Sequence, residues 1–173
     1  MITLLRSLLI LTLLVRGPQD PDDAARAARL DSAMGVCGLS YQKSTSGKSY
    51  TVTFTHDGNR QQTVLVSIAP GRPGGLVTHS IYTTVWIDQN SPPDEATMRK
   101  VLANAKKLGA YYLFKDTKGT WALRFGTQFD ATDLAETPKA GDATVRVLRE
   151  LIEFVDEVGE QTDRELNGER DIR

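Results

Sequence analysis

The chain contains one cysteine and two histidines, and this shortage excludes several kinds of site. Cys37 alone cannot close an internal disulfide or supply a zinc site built from several cysteines. Its apolar neighbours offer no positive charge that would activate a thiol, so we interpret it as a small, partly buried apolar residue. His56 and His79 both fall on predicted strands, and no third ligand stands at a readable spacing. The sequence therefore predicts neither a metal site nor a cofactor.

The chain also lacks a strong net charge, because 21 basic residues oppose 22 acidic ones and the balance is -1. A chain of this kind has no general attraction for nucleic acid or anionic lipid, and we expect no nucleic-acid partner. The 40% hydrophobic content and the length of 173 residues are those of a single globular domain with one packed core.

No apolar run is long enough to cross a bilayer, and the longest one covers residues 8–15. It follows Arg6 and has the length of a signal-peptide core, which favours export to the periplasm or the medium. No small-residue cleavage site follows closely. Three alternatives therefore stay open: a retained signal, an apolar helix packed on the domain, or a misassigned start of a cytoplasmic protein. We divide the chain into this candidate signal peptide over residues 1–20, one domain over 21–160 and a polar tail over 161–173.

Alternation with a period of two residues predicts the strands. Large apolar residues alternate with threonines over residues 50–55, and residues 60–68 return as the partner strand. The turn between them contains Gly58, because glycine accepts the positive φ that a tight hairpin requires. The further predicted strands cover residues 77–88, 110–115 and 120–125.

Capping signals and apolar stripes predict three helices. The first opens on the acidic turn after Pro21, and the second is expected to have Ser91 as its cap and to bury Leu102. The third begins near Asp142 and presents one long apolar side, made of Val145, Leu148, Leu151, Ile152, Val155 and Val158. The order of helix, three strands, helix, two strands and helix indicates an α+β fold in which helices pack on an antiparallel sheet.

Four segments resemble the YbjN family of bacterial proteins. They are residues 49–54, 62–66, 98–108 and 109–114, with Asn104 as the most family-like polar position. The resemblance extends over residues 22–160 and implies the α-β-β-β-α-β-β-α order of type III secretion chaperones. Such chaperones generally act as homodimers that hold partly unfolded proteins, and YbjN-like proteins are described as regulators of sensory transduction. The resemblance therefore implies an unidentified protein partner and a homodimer, and it supplies no catalytic residue.

A search for catalytic patterns finds none. The serines over residues 40–49 lack the G-x-S-x-G elbow of a nucleophile, and the glycine loop over residues 71–75 lacks the Lys-Ser or Lys-Thr ending of a phosphate loop. Asp88 and Asp94 lie at a predicted turn and a helix start, where carboxylates bond locally. We therefore expect a protein that is not an enzyme. The alternative is a small-ligand-binding protein or an uncharacterised enzyme that uses His79, Asp88 or the aromatic residues.

Aromatic residues on both faces of adjacent strands are the best candidates for a binding surface. We predict a protein-binding set of Tyr82, Trp86, Tyr112 and Trp121, with the first two on one face of their strand. The alternative that these rings only fill the core stays open. The function expected from the sequence is that of a protein-binding module, either chaperone-like or regulatory.

Overall fold

The computed structural model describes residues 21–71, 78–103 and 108–168. Four sequence predictions concern residues outside these ranges: the candidate signal peptide, residues 72–75 of the glycine loop, Asn104, and the last residues of the chain from 169 on.

The described elements form one antiparallel sheet and three helices. The strands are β1 (Tyr41–Lys43), β2 (Ser49–Thr55), β3 (Gln61–Ser67), β4 (His79–Asp88), β5 (Ala110–Lys115) and β6 (Trp121–Phe129), and they lie in the order β1-β2-β3-β4-β6-β5. The helices are α1 (Pro21–Val36), α2 (Glu95–Ala103) and α3 (Ala143–Asn167). The predicted α+β class with an antiparallel sheet is confirmed, and the short β1 is an addition that the sequence pattern did not reveal.

The core lies between one face of the sheet and the helices. The buried side of α3 is the predicted one, with Leu148 and Ile152 among its fully buried members. Leu30 from α1 and Val101 from α2 join the same cluster, together with alternate residues of the central strands such as Ile81. Because all three described helices bury their apolar sides in this single cluster, they cover one face of the sheet and leave the other face open.

The hairpin of β2 and β3 matches its prediction. Val52 lies opposite Val64 and both are buried, whereas the threonines of β2 alternate with the buried residues. The turn uses Gly58 at a φ of 73° and Asn59 at a φ of 61°, two positions where side chains other than glycine and asparagine are disfavoured.

A bulge in β4 changes which side chains share a face. The register with β6 shifts between Thr84 and Trp86, so Trp86 lies opposite the fully buried Leu123 and packs against the core. Ile87, which unbroken alternation places inside, is instead 48% exposed. The extra residue of a bulge reverses the facing of every residue that follows it, so the sequence pattern, which has no bulge, assigns Trp86 to the wrong face.

The ends of α2 and α3 differ from their predictions. The cap of α2 is Asp94, whose carboxylate accepts the Thr97 N–H at 2.7 Å, and not Ser91. Leu102 is 64% exposed, so the apolar side of α2 that faces the core is narrower than the stripe suggests. α3 begins after Asp142 as predicted but continues to Asn167, through residues expected in a polar tail.

Candidate functional site on the open face of the sheet

Three neighbouring strands place four side chains together on the open face. Tyr82 comes from β4, Arg124 from β6, and Tyr112 and Phe114 from β5. Tyr112 lies directly opposite Arg124, and Tyr82 lies opposite Gly126, two residues further along β6. Because residues opposite each other or two apart share a face, all four side chains emerge on the same side. We call them the open-face cluster.

Arg124 is the centre of the open-face cluster. Its guanidinium carbon lies 4.8 Å from the centroid of the Tyr82 ring and 4.2 Å from that of the Phe114 ring. The Tyr82 and Tyr112 rings meet edge to face with their centroids 6.4 Å apart. Contacts of this kind between a cation and aromatic rings are attractive and hold the guanidinium plane in one place.

The open-face cluster carries one positive charge, that of Arg124, and the described residues provide no counterion for it. The buried Nε of Arg124 has no hydrogen-bond partner within the described ranges, which also show no carboxylate paired with this guanidinium. Burial raises the pKa of Tyr112, although the neighbouring Arg124 opposes this, and the phenol therefore stays neutral at physiological pH. The guanidinium of Arg124 also hydrogen-bonds the Tyr112 phenol, and its Nε–H remains without a partner among the described residues, beside apolar rings.

A shallow depression of about 320 Å³ adjoins the open-face cluster. Its lining includes Ser80, Tyr112 and Gln128, and Gly126 forms part of its floor. A Cβ at Gly126 would come within 2.8 Å of both the Ile81 carbonyl oxygen and the Tyr82 Cβ. Glycine is therefore needed here so that β4 and β6 can pair closely beneath the depression.

The structure brings together two of the four residues in the predicted protein-binding set. Tyr82 and Tyr112 are in contact, but Trp86 packs against the core on the other side. Trp121 lies opposite Asp88 at the end of β6, where the Lys115 ammonium stands 4.7 Å from its ring centroid. Its spacing of two from Leu123 also places Trp121 on the helix-covered side.

Sequence reasoning missed Arg124 and Phe114. A signal for Arg124 was present, because it stands between Leu123 and Phe125, which are both fully buried. A charged residue between two inward-facing apolar residues of a strand must face outward. No comparable signal distinguished Phe114, since it follows an almost unbroken apolar run.

A second polar cluster joins the end of α3 to the β2–β3 hairpin. The buried Arg60 donates from Nε to Glu160 Oε1 at 2.9 Å and from Nη1 to the Gly168 carbonyl at 2.9 Å, and its Nη2 donates to Asp163. Arg164 donates to the same oxygen of Glu160 at 2.6 Å. These bonds explain why α3 extends past residue 160, since the apparently polar tail provides Asp163, one of the two counterions of Arg60, and the Gly168 carbonyl as a further acceptor.

His56 lies at the edge of this ionic cluster. Its Nε2 is 3.0 Å from Asp156 Oδ1, beside a depression of about 440 Å³ that Glu157 and Gln161 also line. Burial raises the pKa of Asp156, and the hydrogen bond with His56 only partly opposes this. Across residues 21–71, 78–103 and 108–168, no group of three or more His, Cys, Asp or Glu side chains is arranged to hold a metal ion.

The residues named for a catalytic alternative do not converge. His79 is fully buried and donates from Nδ1 to the Ser67 carbonyl at 3.0 Å, and burial lowers its pKa. Asp88 accepts the backbone N–H groups of Asn90 and Ser91 at the other end of β4. The length of the strand between them is about 30 Å, so the two side chains cannot act on one substrate atom.

No helix in the described ranges combines the length and the apolar character that crossing a membrane demands. In comparisons with known proteins, no protein-family model and no curated protein matched the chain. The resemblance to the YbjN family therefore stays a prediction.

Proposed function

We propose that this protein is a non-enzymatic binding module that takes up an extended segment of another protein along β5. The proposal rests on the edge position of this strand and on the exposure of its apolar residues. Among the described strands β5 is the outermost on its side of the sheet, and Tyr112, Leu113 and Phe114 at its centre are 39%, 42% and 40% exposed. An outer strand with exposed apolar residues is a template for another strand, and proteins normally protect such edges.

The opposite edge of the sheet is protected. β1 has only three residues, and its Lys43 ammonium forms an ion pair with Asp31 at 3.0 Å. The short length of β1 discourages pairing at this edge, whereas a terminal lysine does not distinguish the two edges, because β5 also ends in one, Lys115. β5, by contrast, has six residues, which give about 20 Å of strand for an incoming segment.

The occupant that best fits β5 is a segment of a different protein. Antiparallel pairing with β5 of a second copy would continue the same open face and add a second Arg124. β5 has no acidic residue, so a second copy of this strand would bring no carboxylate to Arg124. A segment with an acidic residue has the complementary charge.

Strand addition can be tested with a defined peptide. The probe is a fluorescent eight-residue peptide of alternating threonine and valine, with a Gly-Ser tail for solubility, and binding is measured by fluorescence anisotropy. Two matched peptides are N-methylated, one on every second amide and the other on every amide. Because successive amides of a strand point to opposite edges, the first peptide keeps one complete row of donors for β5 and the second keeps none.

We expect the half-methylated peptide to keep binding and the fully methylated peptide to lose it. Equal binding by both methylated peptides would refute strand addition, and so would no binding by the unmodified peptide. Light scattering provides a further check, since a stable dimer that the peptide cannot dissociate would mean that a second copy occupies the edge.

A further inference from the structure

We infer that Arg124 is the receptor for a glutamate side chain on the segment that pairs with β5. This inference rests on the proposed function and specifies the chemistry of its partner. The guanidinium is held against the Tyr82 and Phe114 rings, and its buried Nε has no partner in the described part of the chain. A planar guanidinium with unused N–H donors matches the two oxygens of a carboxylate better than any other side chain does.

The surroundings of Arg124 strengthen this match. The two rings restrict the guanidinium before a ligand arrives, so little side-chain freedom remains to be lost on binding. They also exclude water from its faces, and a charge-assisted hydrogen bond is stronger where water is excluded. The neutral Tyr112 phenol, 39% exposed, stands beside it as a further donor.

The distance across the sheet selects glutamate over aspartate. A segment paired with β5 lies two strand spacings, about 10 Å, from the backbone of β6 that carries Arg124. Side chains of the segment on the open face must reach over β5, where Phe114 already contacts the guanidinium. Glutamate is one methylene longer than aspartate, so its carboxylate reaches further across β5 toward the guanidinium.

The experiment uses the peptide that tests strand addition, with one residue replaced by Glu, Asp, Gln or Lys. The position of the replaced residue is varied along the peptide in steps of two, which keeps its side chain on one face of the strand. In each pairing register, one of these positions then lies near Arg124. At the best position we expect the Glu peptide to bind about tenfold more tightly than the Gln peptide, the ratio typical of one charge-assisted pair. The Asp peptide should be intermediate, and the Lys peptide should bind most weakly.

Variants of the protein test whether the preference for the Glu peptide over the Gln peptide comes from Arg124. Arg124→Gln should reduce the ratio of Glu to Gln affinity to about one, and Arg124→Lys should retain part of it, because the charge remains and the planar fork is lost. Lys115→Gln is the matched control, since Lys115 lies over Trp121 on the other face and its loss should leave the ratio unchanged. Thermal melts verify that each variant is folded.

The inference and the proposed function can fail separately. If full N-methylation blocks binding but Glu and Gln peptides bind equally, strand addition stands and the role of Arg124 is refuted. The same conclusion follows if Arg124→Gln and Lys115→Gln reduce the Glu preference equally. If full N-methylation leaves binding unchanged, the proposed function itself is wrong.

Discussion

Replacing Arg60 by methionine should cause a large loss of stability. Arg60 is buried between the β2–β3 hairpin and the end of α3, where its guanidinium bonds to Glu160, Asp163 and the Gly168 carbonyl. Arg60→Met preserves much of the side-chain volume and removes the charge that compensates two buried carboxylates. Breaking a buried ion pair by removing one partner typically costs about 3–5 kcal/mol. A small domain has only about 5–15 kcal/mol in total, so the variant should be close to unfolding.

A second variant distinguishes the effect of unpaired buried charges from the effect of altered packing. The triple substitution Arg60→Met, Glu160→Met and Asp163→Leu removes the buried charges together. Because apolar replacement of a whole buried ionic group is often neutral or stabilising, the triple variant should recover most of the loss. Arg164, half-exposed, can turn to water when Glu160 is gone.

Urea denaturation followed by circular dichroism measures the free energy of unfolding of each variant. Arg149→Met is the matched control, because Arg149 and its partner Glu153 are both largely exposed and such pairs contribute about 1 kcal/mol or less. The reasoning is refuted if Arg60→Met costs no more than Arg149→Met, or if the triple variant is less stable than the single one.

Two further substitutions test the packing of the sheet against α3 and the burial of a histidine. Gly159→Ala should destabilise the protein by about 1–3 kcal/mol, because the new methyl overlaps the methyl of the buried Thr83, and this outweighs the gain in helix propensity of about 1 kcal/mol. Thermal melts measure the change. His79 has a lowered pKa in the fold, so below about pH 6.5 the unfolded chain binds more protons than the folded chain. The free energy of unfolding should therefore fall as the pH decreases from 7 to 5, and His79→Leu should weaken this dependence in urea titrations.

Each of these results has a contrary outcome. A Gly159→Ala variant with an unchanged or higher melting temperature would mean that α3 is not held as closely to β4 as the structure shows. A constant difference between wild type and His79→Leu across pH 5 to 7 would mean that His79 keeps its ordinary pKa on folding, contrary to its burial.

Local patterns in the chain predicted most of the elements correctly, because secondary structure leaves a period in the sequence. The alternation of Tyr50 and Val52 with threonines and the spacing of Leu148, Ile152 and Val155 each indicate a face that must be buried. The turn at Gly58 was equally readable, since few residues accept its backbone conformation. The predicted α+β class followed from the order of these elements alone.

The candidate site depends on arrangements that have no local period. β6 lies between β4 and β5, which makes β5 an edge strand and places Arg124 between Tyr82 and Phe114. The bulge after Thr84 separates Trp86 from Tyr82, although their spacing indicates a common face.

The length of α3 was hidden for a similar reason, since Asp163 is buried through a partner 103 positions away in the chain. The amino-acid sequence determines which faces of the helices and strands are apolar, and this can be read from residues that are close in the chain. The pairing of distant strands and the matching of buried charges arise only when the complete core assembles, and local sequence carries no information about them.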